Sequence, residues 1–345
     1  MKLTALILCA TLAQAQEQSN IVVVMMDDMT YSDLDSMPNV QKFLVDSGMV
    51  FDRMYVANSL CCPNRAAFLT GKFPHNNGVL TNMAPDGGFQ RYIELGLDTN
   101  ALPVQMQRLG YTTMIAGKLL NQFEVDAGYT FPGWDSVQVV DGRYFYYRIV
   151  DKQGRVVYYG SQEEEYEADV LATKIVAWIS EATGPKFCYY APSAPHRVCV
   201  PPQRYAGRFD GVTAPRPPSF NEADVSDKPA YIQDLPLLGN GQQAQVDEQY
   251  RGRLGTILAV DDAIGDIVEA LRTTGQLENA YLIFTSDNGF ELGEHRLTGK
   301  QTPYDEAVHV PLIIRGPGVA TGVSDMLVST VDLFPTIIEL GASER

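Results

Sequence analysis

"NIVVVMMDD", residues 20 to 28, sets seven residues with no charge among them directly against two aspartates. A run that short, bounded by polar residues and rich in β-branched side chains, predicts a strand buried on both faces, as in a parallel sheet. The same grammar recurs along the chain. "YTTMIAG" precedes Lys118, "KFCYYA" precedes "PSAPH" with His196, "AYLIFTS" precedes Asp287 and Asn288, and "VPLIIRG" follows. Helical patterns separate these runs: "PNVQKFLVDSG" and "ALPVQMQRLG" each stop at glycine, residues 163–182 read as a helix, and 246–274 keep an amphipathic period. The alternation predicts an α/β protein with a mainly parallel central sheet flanked by helices. Residues 201–238, rich in Pro, Asp and Gly, read as an extended surface excursion that walls a cleft. There is no internal repeat.

In an open parallel sheet, ligands bind beyond the carboxyl ends of the strands. Four strand ends here carry polar groups, which points to one site assembled from distant segments. Asp27 and Asp28 alone read equally well as a solvated turn with a helix cap. Two carboxylates about 4 Å apart repel by roughly 4 kcal/mol at an effective dielectric near 20, so a partly buried pair wants a cation or a shared proton. Adding Asp287 and Asn288 gives hard oxygen donors suited to Ca²⁺ or Mg²⁺, and we favour calcium. His75, His196, His295 and His309 are scattered and form no zinc signature.

"SLCCPNRAAFLTGKFPH" (residues 59–75) poses a separate puzzle. Adjacent cysteines rarely bridge each other, because consecutive Cα atoms lie about 3.8 Å apart and a disulfide prefers about 5.5 Å. Cys61 and Cys62 therefore have different jobs. "NRAAFLT" is helix-friendly, which sets Cys61 just before a helix N-terminus with Arg65 one turn in, a place that favours anions and activates nucleophiles. Taken alone, the stretch reads better as two ordinary buried thiols and a surface helix arginine.

Bulk properties bound the function. The formal charge of −16 argues against a nucleic-acid partner and leaves an anionic substrate to local positive charge. Residues 1–15, with an apolar run from Leu3 to Leu12 and "AQA" at the end, read as a signal peptide too short to span a bilayer, and no later segment reads as a membrane helix. Export would leave Cys61, Cys62, Cys188 and Cys199, of which Cys188 and Cys199 could pair. No N-x-S/T sequon occurs.

Taken in order, these motifs resemble the sulfatase family of the alkaline-phosphatase superfamily. "CCPNRAAFLTG" looks like its C-x-P-S-R-x-x-x-L-T-G signature, and "DD", "AGK", "P-x-x-P-H", "TSDNG" and "GK-x-T-x-Y-x-E" before "VPLII" follow in sequence, from about Ile21 to Leu340. The subgroup it is most similar to comprises fungal-type arylsulfatases and N-acetylglucosamine-6-sulfatases. The resemblance implies that a formylglycine-generating enzyme converts Cys61 to formylglycine, whose hydrate attacks sulfur. It implies one calcium ion at Asp27, Asp28, Asp287 and Asn288 that also touches residue 61. Arg65 would hold the hydrate, Lys118 and Lys300 the sulfate oxygens, and His196 or Lys300 would protonate the departing alcohol. His295 could assist, or serve its loop alone.

Three departures stand out. Asn64 occupies the usual serine position. Leu120 stands where many sulfatases have histidine. The chain stops at "VDLFPTIIELGASER", before the small C-terminal subdomain the family usually adds, so residues 16–345 are expected to be a catalytic domain truncated there. The expected activity is hydrolysis of a sulfate ester, an aryl sulfate or a glycan 6-sulfate, in a secreted, lysosome-like or periplasmic setting. The competing readings are an inactive sulfatase-like protein that binds sulfated ligands and a related phosphatase or phosphodiesterase.

Overall fold

The computed structural model describes residues 18–124 and 129–342. The signal-peptide reading falls outside them. Ten strands form one sheet: β1 (Asn20–Met26), β2 (Met49–Tyr55), β3 (Thr112–Gly117), β4 (Ser136–Arg143), β5 (Phe145–Asp151), β6 (Val156–Tyr158), β7 (Lys186–Ala191), β8 (Ala280–Ser286), β11 (Leu312–Arg315) and β12 (Gly322–Ser329). Two more, β9 (Glu291–Leu292) and β10 (Thr298–Gly299), form a separate antiparallel ribbon. The sheet order is β12-β2-β11-β8-β1-β7-β3-β4-β5-β6, with β8, β1, β7, β3 and β4 mutually parallel and antiparallel pairs toward both edges.

β1 lies at the centre because, beyond Asn20 at its start, it has nothing polar to show to water. Ile21 pairs with Phe187 on one side and Tyr281 on the other, and all seven of its residues are buried. The period of two sends Val22, Val24 and Met26 into one apolar layer and Ile21, Val23 and Met25 into the opposite one. The first layer is closed by the Glu167–Glu181 and Asn240–Thr273 helices through Leu171, Ile175, Ile257 and Ile264. The second is closed by the Cys61–Thr70, Leu102–Arg108 and Thr330–Ala342 helices through Phe68, Met106 and Ile337. Truncating such a side chain, as in Met25→Ala, would cost about 2–5 kcal/mol. The strand ends that carry the polar groups are therefore fixed by a two-sided core.

The predicted strands and helices are present, with differences that have physical causes. The long helix begins at Asn240 rather than Val246, because its first turns are polar and exposed and carry no period. β2, β4, β5, β6 and β12 escape sequence reading, since they lie toward the sheet margins and mix polar with apolar residues. Cys188 and Cys199 are not bonded: all four described cysteines are free, with Cys188 buried inside β7 and Cys199 in the loop after His196. The excursion contains only the turn Gln203–Tyr205 and the short helix Ala230–Gln233. Its far half is seated on the β9–β10 ribbon, where Arg296 donates to the carbonyls of Glu222, Ala223 and Leu235.

Candidate active site

Beyond β1 the chain turns abruptly. The Asp27 amide donates to the Ala194 carbonyl at 2.9 Å, and Asp28 takes a left-handed conformation (φ 73°), which aspartate tolerates better than most residues. The Asp28 amide then donates to Asp287 Oδ1 at 3.1 Å, which ties the ends of β1 and β8 together. Behind this turn, Arg253 donates to the Asp28 carbonyl at 2.8 Å and pairs with Asp33.

The Cys61–Thr70 helix brings the cysteine pair to these strand ends. Residues 61 to 69 are all buried, and Gly71, left-handed at φ 65°, closes the helix. The doubled cysteine is resolved by direction. Cys61 Sγ points at the acids, 3.5 Å from Asp27 Oδ1 and 3.8 Å from Asp28 Oδ1, while Cys62 joins the apolar layer and its amide donates to Asn82 Oδ1 at 2.8 Å. One turn on, Arg65 is fully buried. Its Nε donates to Asp287 Oδ2 at 2.8 Å and its Nη1 to the Lys118 carbonyl at 2.9 Å. Its Nη2 has no hydrogen-bond partner and lies 3.9 Å from Asp27 Oδ1.

Two lysines enter from loops. Lys118, after β3, places Nζ 2.6 Å from Asp27 Oδ2. Lys300, after β10, bonds Asp28 Oδ1 and lies 2.6 Å from Cys61 Sγ and 3.5 Å from Asn288 Oδ1. His196 directs Nε2 to Asp28 Oδ2 at 3.8 Å, and Arg143 Nη1 lies 2.8 Å from its Nδ1. All the predicted site residues thus meet in one place. His75, His295 and His309 lie elsewhere: His75 stacks on Phe73, His295 pairs with Glu222, and His309 bonds the Asp52 carbonyl.

The electrostatics follow from burial and partners. Burial alone would raise the Asp27 carboxyl, but Lys118, His196, Arg65 and Lys300 outweigh it and hold Asp27 well below the usual carboxylate range. Burial raises Asp287, with Arg65 opposing. Burial and Asp287 push the Cys61 thiol far up, so as a thiol it stays protonated. Burial lowers His196, against the pull of Asp27 and Asp28.

The donor atoms of Asp27, Asp28, Cys61 and His196 all lie within 4.8 Å of one another. Asp28 Oδ2 is buried without a hydrogen-bond partner, an orphaned acceptor that a hard cation would satisfy. Asp287 borders this group with both oxygens already accepting protein hydrogen bonds. Asn288 turns its NH₂ to Asp28 at 2.8 Å, and a half-turn of the amide would present its oxygen instead. The residues fit a calcium-type ion.

A cavity of about 260 Å³ opens over Asp27, Lys118 and His196, with Leu120, Gln122, Asp141 and Arg143 also lining it. A larger one of about 590 Å³, walled by Tyr31, Tyr250, Phe290 and His309, touches none of the residues predicted to do chemistry. Sequence reading missed Arg253, Tyr189 and Arg143. Arg253 had a signal: it falls in the buried register of its helix with Ile257, Val260 and Ile264, where an arginine needs a reason. Tyr189, whose hydroxyl lies 3.4 Å from Arg65 Nη1, had none inside an apolar strand.

The Sulfatase family model matches residues 19–342, and the chain belongs to the sulfatase family. It is similar to an arylsulfatase of Volvox carteri, 34% identical over 97% of this chain and 57% of that protein. It is similar also to the human N-acetylglucosamine-6-sulfatase, 31% identical over 95% of this chain and 62% of that protein. The chain thus spans about three fifths of the length of these curated relatives. In fold it is similar to the BT4656 protein, solved in complex with its substrate D-glucosamine-2-N,6-O-disulfate, with a TM-score of 0.78 and 24% identity over 94% of this chain and 77% of that one.

Proposed function

We propose that the protein hydrolyses sulfate esters, with residue 61 acting as formylglycine and a calcium ion held by Asp27, Asp28, Asp287 and Asn288. The observation that carries this reading is the convergence on Cys61: a buried sulfur 2.6 Å from the Lys300 ammonium and 3.5 Å from an Asp27 oxygen, at the start of a helix bearing Arg65. As a thiol kept protonated by burial, Cys61 is a poor nucleophile, so the reading requires its conversion. When present, the ion and the aldehyde hydrate would supply charge stabilisation and an oxygen nucleophile.

The chain's own residues account for the rest. Arg65 is locked by Asp287 and the Lys118 carbonyl, and its unpartnered Nη2 is a spare donor for an oxyanion. Lys118 and Lys300 supply two ammonium groups for the sulfate oxygens. His196 faces the site through Nε2 and, when that nitrogen is protonated, would donate to the departing alcohol, while buried Leu120 offers no proton. The names of the relatives support an aryl sulfate or a glycan 6-sulfate as substrate. The leader-like residues 1–15 support export, to the outside or to a lysosome-like or periplasmic compartment, and no helix among the described residues is long and apolar enough to cross a membrane.

The test is mass spectrometry of the tryptic peptide from Met54 to Arg65, from protein made with a formylglycine-generating enzyme, followed by assay on an aryl sulfate with and without chelator. Aldehyde at Cys61 and calcium-dependent turnover are expected. A second reading rests on Asn64, which stands where the family signature has serine. An unmodified thiol with retained binding of sulfated ligands would make the protein a binder rather than a hydrolase.

A further inference from the structure

Lys300 has a long flexible stem, so the precision of its ammonium depends on what holds its turn. Two tethers do so. On one side, Ser59, two residues before Cys61, donates through Oγ to the Thr302 carbonyl at 2.8 Å and accepts the Gln301 amide at 3.1 Å. On the other, Thr302 Oγ1 bonds Oε1 of Glu291, which sits directly across the ribbon from Gly299. Gln301 between them is left-handed at φ 75°.

Glu291 is an expensive residue for this place. It is fully buried, its Oε2 has no hydrogen-bond partner, and Glu294 and Glu306 lie near it. An apolar side chain would fill the position at lower cost to the fold. We propose that Glu291 is the positioning residue for Lys300: through Thr302 its buried carboxyl fixes the Lys300 turn so that the ammonium lies against Cys61 and Asp28. The inference rests on the reading of Lys300 as a group that clamps sulfate.

Glu291→Ala and Thr302→Val are each expected to lower kcat on an aryl sulfate about tenfold with KM changed less than about twofold, the mark of a group aimed at the transition state. Glu291→Gln, which keeps the acceptor for Thr302, should recover kcat to within about threefold. In a double-mutant cycle, Glu291→Ala should cost nothing further once Lys300→Ala is present. A second readout needs no turnover. Acylation of Lys300 by an amine-reactive reagent, followed by peptide mass, should quicken about fivefold in Glu291→Ala and Thr302→Val and stay at the parent rate in Glu291→Gln, because a released ammonium leaves its shielded place. Parental labelling rates in both disrupted variants, or losses that multiply in the cycle, would overturn the proposal. An inactive parent protein would count against the sulfatase reading alone, and labelling would still decide the role of Glu291. If Glu291→Ala does not fold, Thr302→Val carries the same outcomes.

Discussion

Asp27, Asp28 and Asp287 at the ends of β1 and β8, and Glu291, Glu294 and Glu306 around the β9–β10 ribbon, are two sets of three acids largely withdrawn from water. Burial acts on both, yet Asp27 and Glu291 move in opposite directions. The first set is met by Arg65, Lys118 and Lys300, and Asp27 is held ionised far below its ordinary range. Among the described residues, no arginine or lysine pairs with the second set; His295 lies 4.0 Å from Glu306 and also favours the charged form of Glu294, but is itself engaged by Glu222. Burial there pushes Glu291 up to about 7 and raises Glu294. Compensation and depth compete: Asp27, met by Lys118 and Arg65, is held low, whereas burial raises Asp287 despite Arg65, as it raises Glu291. Asp27 is the ionised member that a cation would meet, and Glu291 a structural acid whose proton is held more tightly than usual.

The contrast can be broken in several ways. Cys61→Ala should abolish turnover, by at least about 10⁴-fold or roughly 5.5 kcal/mol of transition-state stabilisation, while leaving the thermal midpoint nearly unmoved. A residual rate within tenfold of the parent would remove Cys61 from the chemistry. Arg65→Met should cost about 3–5 kcal/mol of stability, because Asp287 would stay buried without its partner. Urea unfolding reads this, and a loss under about 1 kcal/mol would mean that the first set does not depend on its cations.

Chelation followed by calcium should return both activity and stability, with a gain of about 2.7 kcal/mol at a hundredfold excess over the dissociation constant. The same gain should vanish in Asp28→Ala and persist in Glu291→Gln. The second set predicts a pH effect instead. A folded pKa of about 7 against an ordinary 4.5 means that the native state binds a proton the unfolded chain has released, so this part of the stability is complete below about pH 4.5 and is lost as pH rises through 7. Glu294 and Glu306 oppose ionisation of Glu291 and Thr302 favours it. Glu291→Gln should therefore match the parent at pH 4.5 and exceed it by up to about 3 kcal/mol at pH 8. A difference that does not change with pH would show that folding leaves the proton affinity of Glu291 unshifted. The smallest effect is expected at Asn64, which accepts the Ala57 amide at 3.0 Å and donates to the Asp287 carbonyl at 2.6 Å. Asn64→Ser should cost about 1–3 kcal/mol and raise the fraction of Cys61 converted to aldehyde.

What the sequence made legible follows the same physics. β1, β7 and β8 read cleanly because burial on both faces leaves only apolar residues, and their ends expose Asp27, His196 and Asp287 by contrast. β4 to β6 did not read, since Tyr146 and Tyr158 mix with arginines on a sheet edge where no single face dictates residue type. The site residues were legible as ordered motifs. Their supports were not: Thr302, Ser59 and Glu291 act through contacts between segments more than 200 residues apart or through a ribbon two residues wide, and neither leaves a period.

The route by which the chain closes over Cys61 sets a clock. Cys61 has no exposed surface in the folded protein, and Lys300, one of the groups that covers it, lies 239 residues later in the chain. At roughly 5–20 residues per second, a ribosome needs about 12–48 s to travel from one to the other. Any enzyme that modifies this cysteine must reach it while the chain is still open, before β8 and the Lys300 turn fold over it. Synthesis speed, as much as the residues around Cys61, would then govern how many finished molecules carry a working nucleophile.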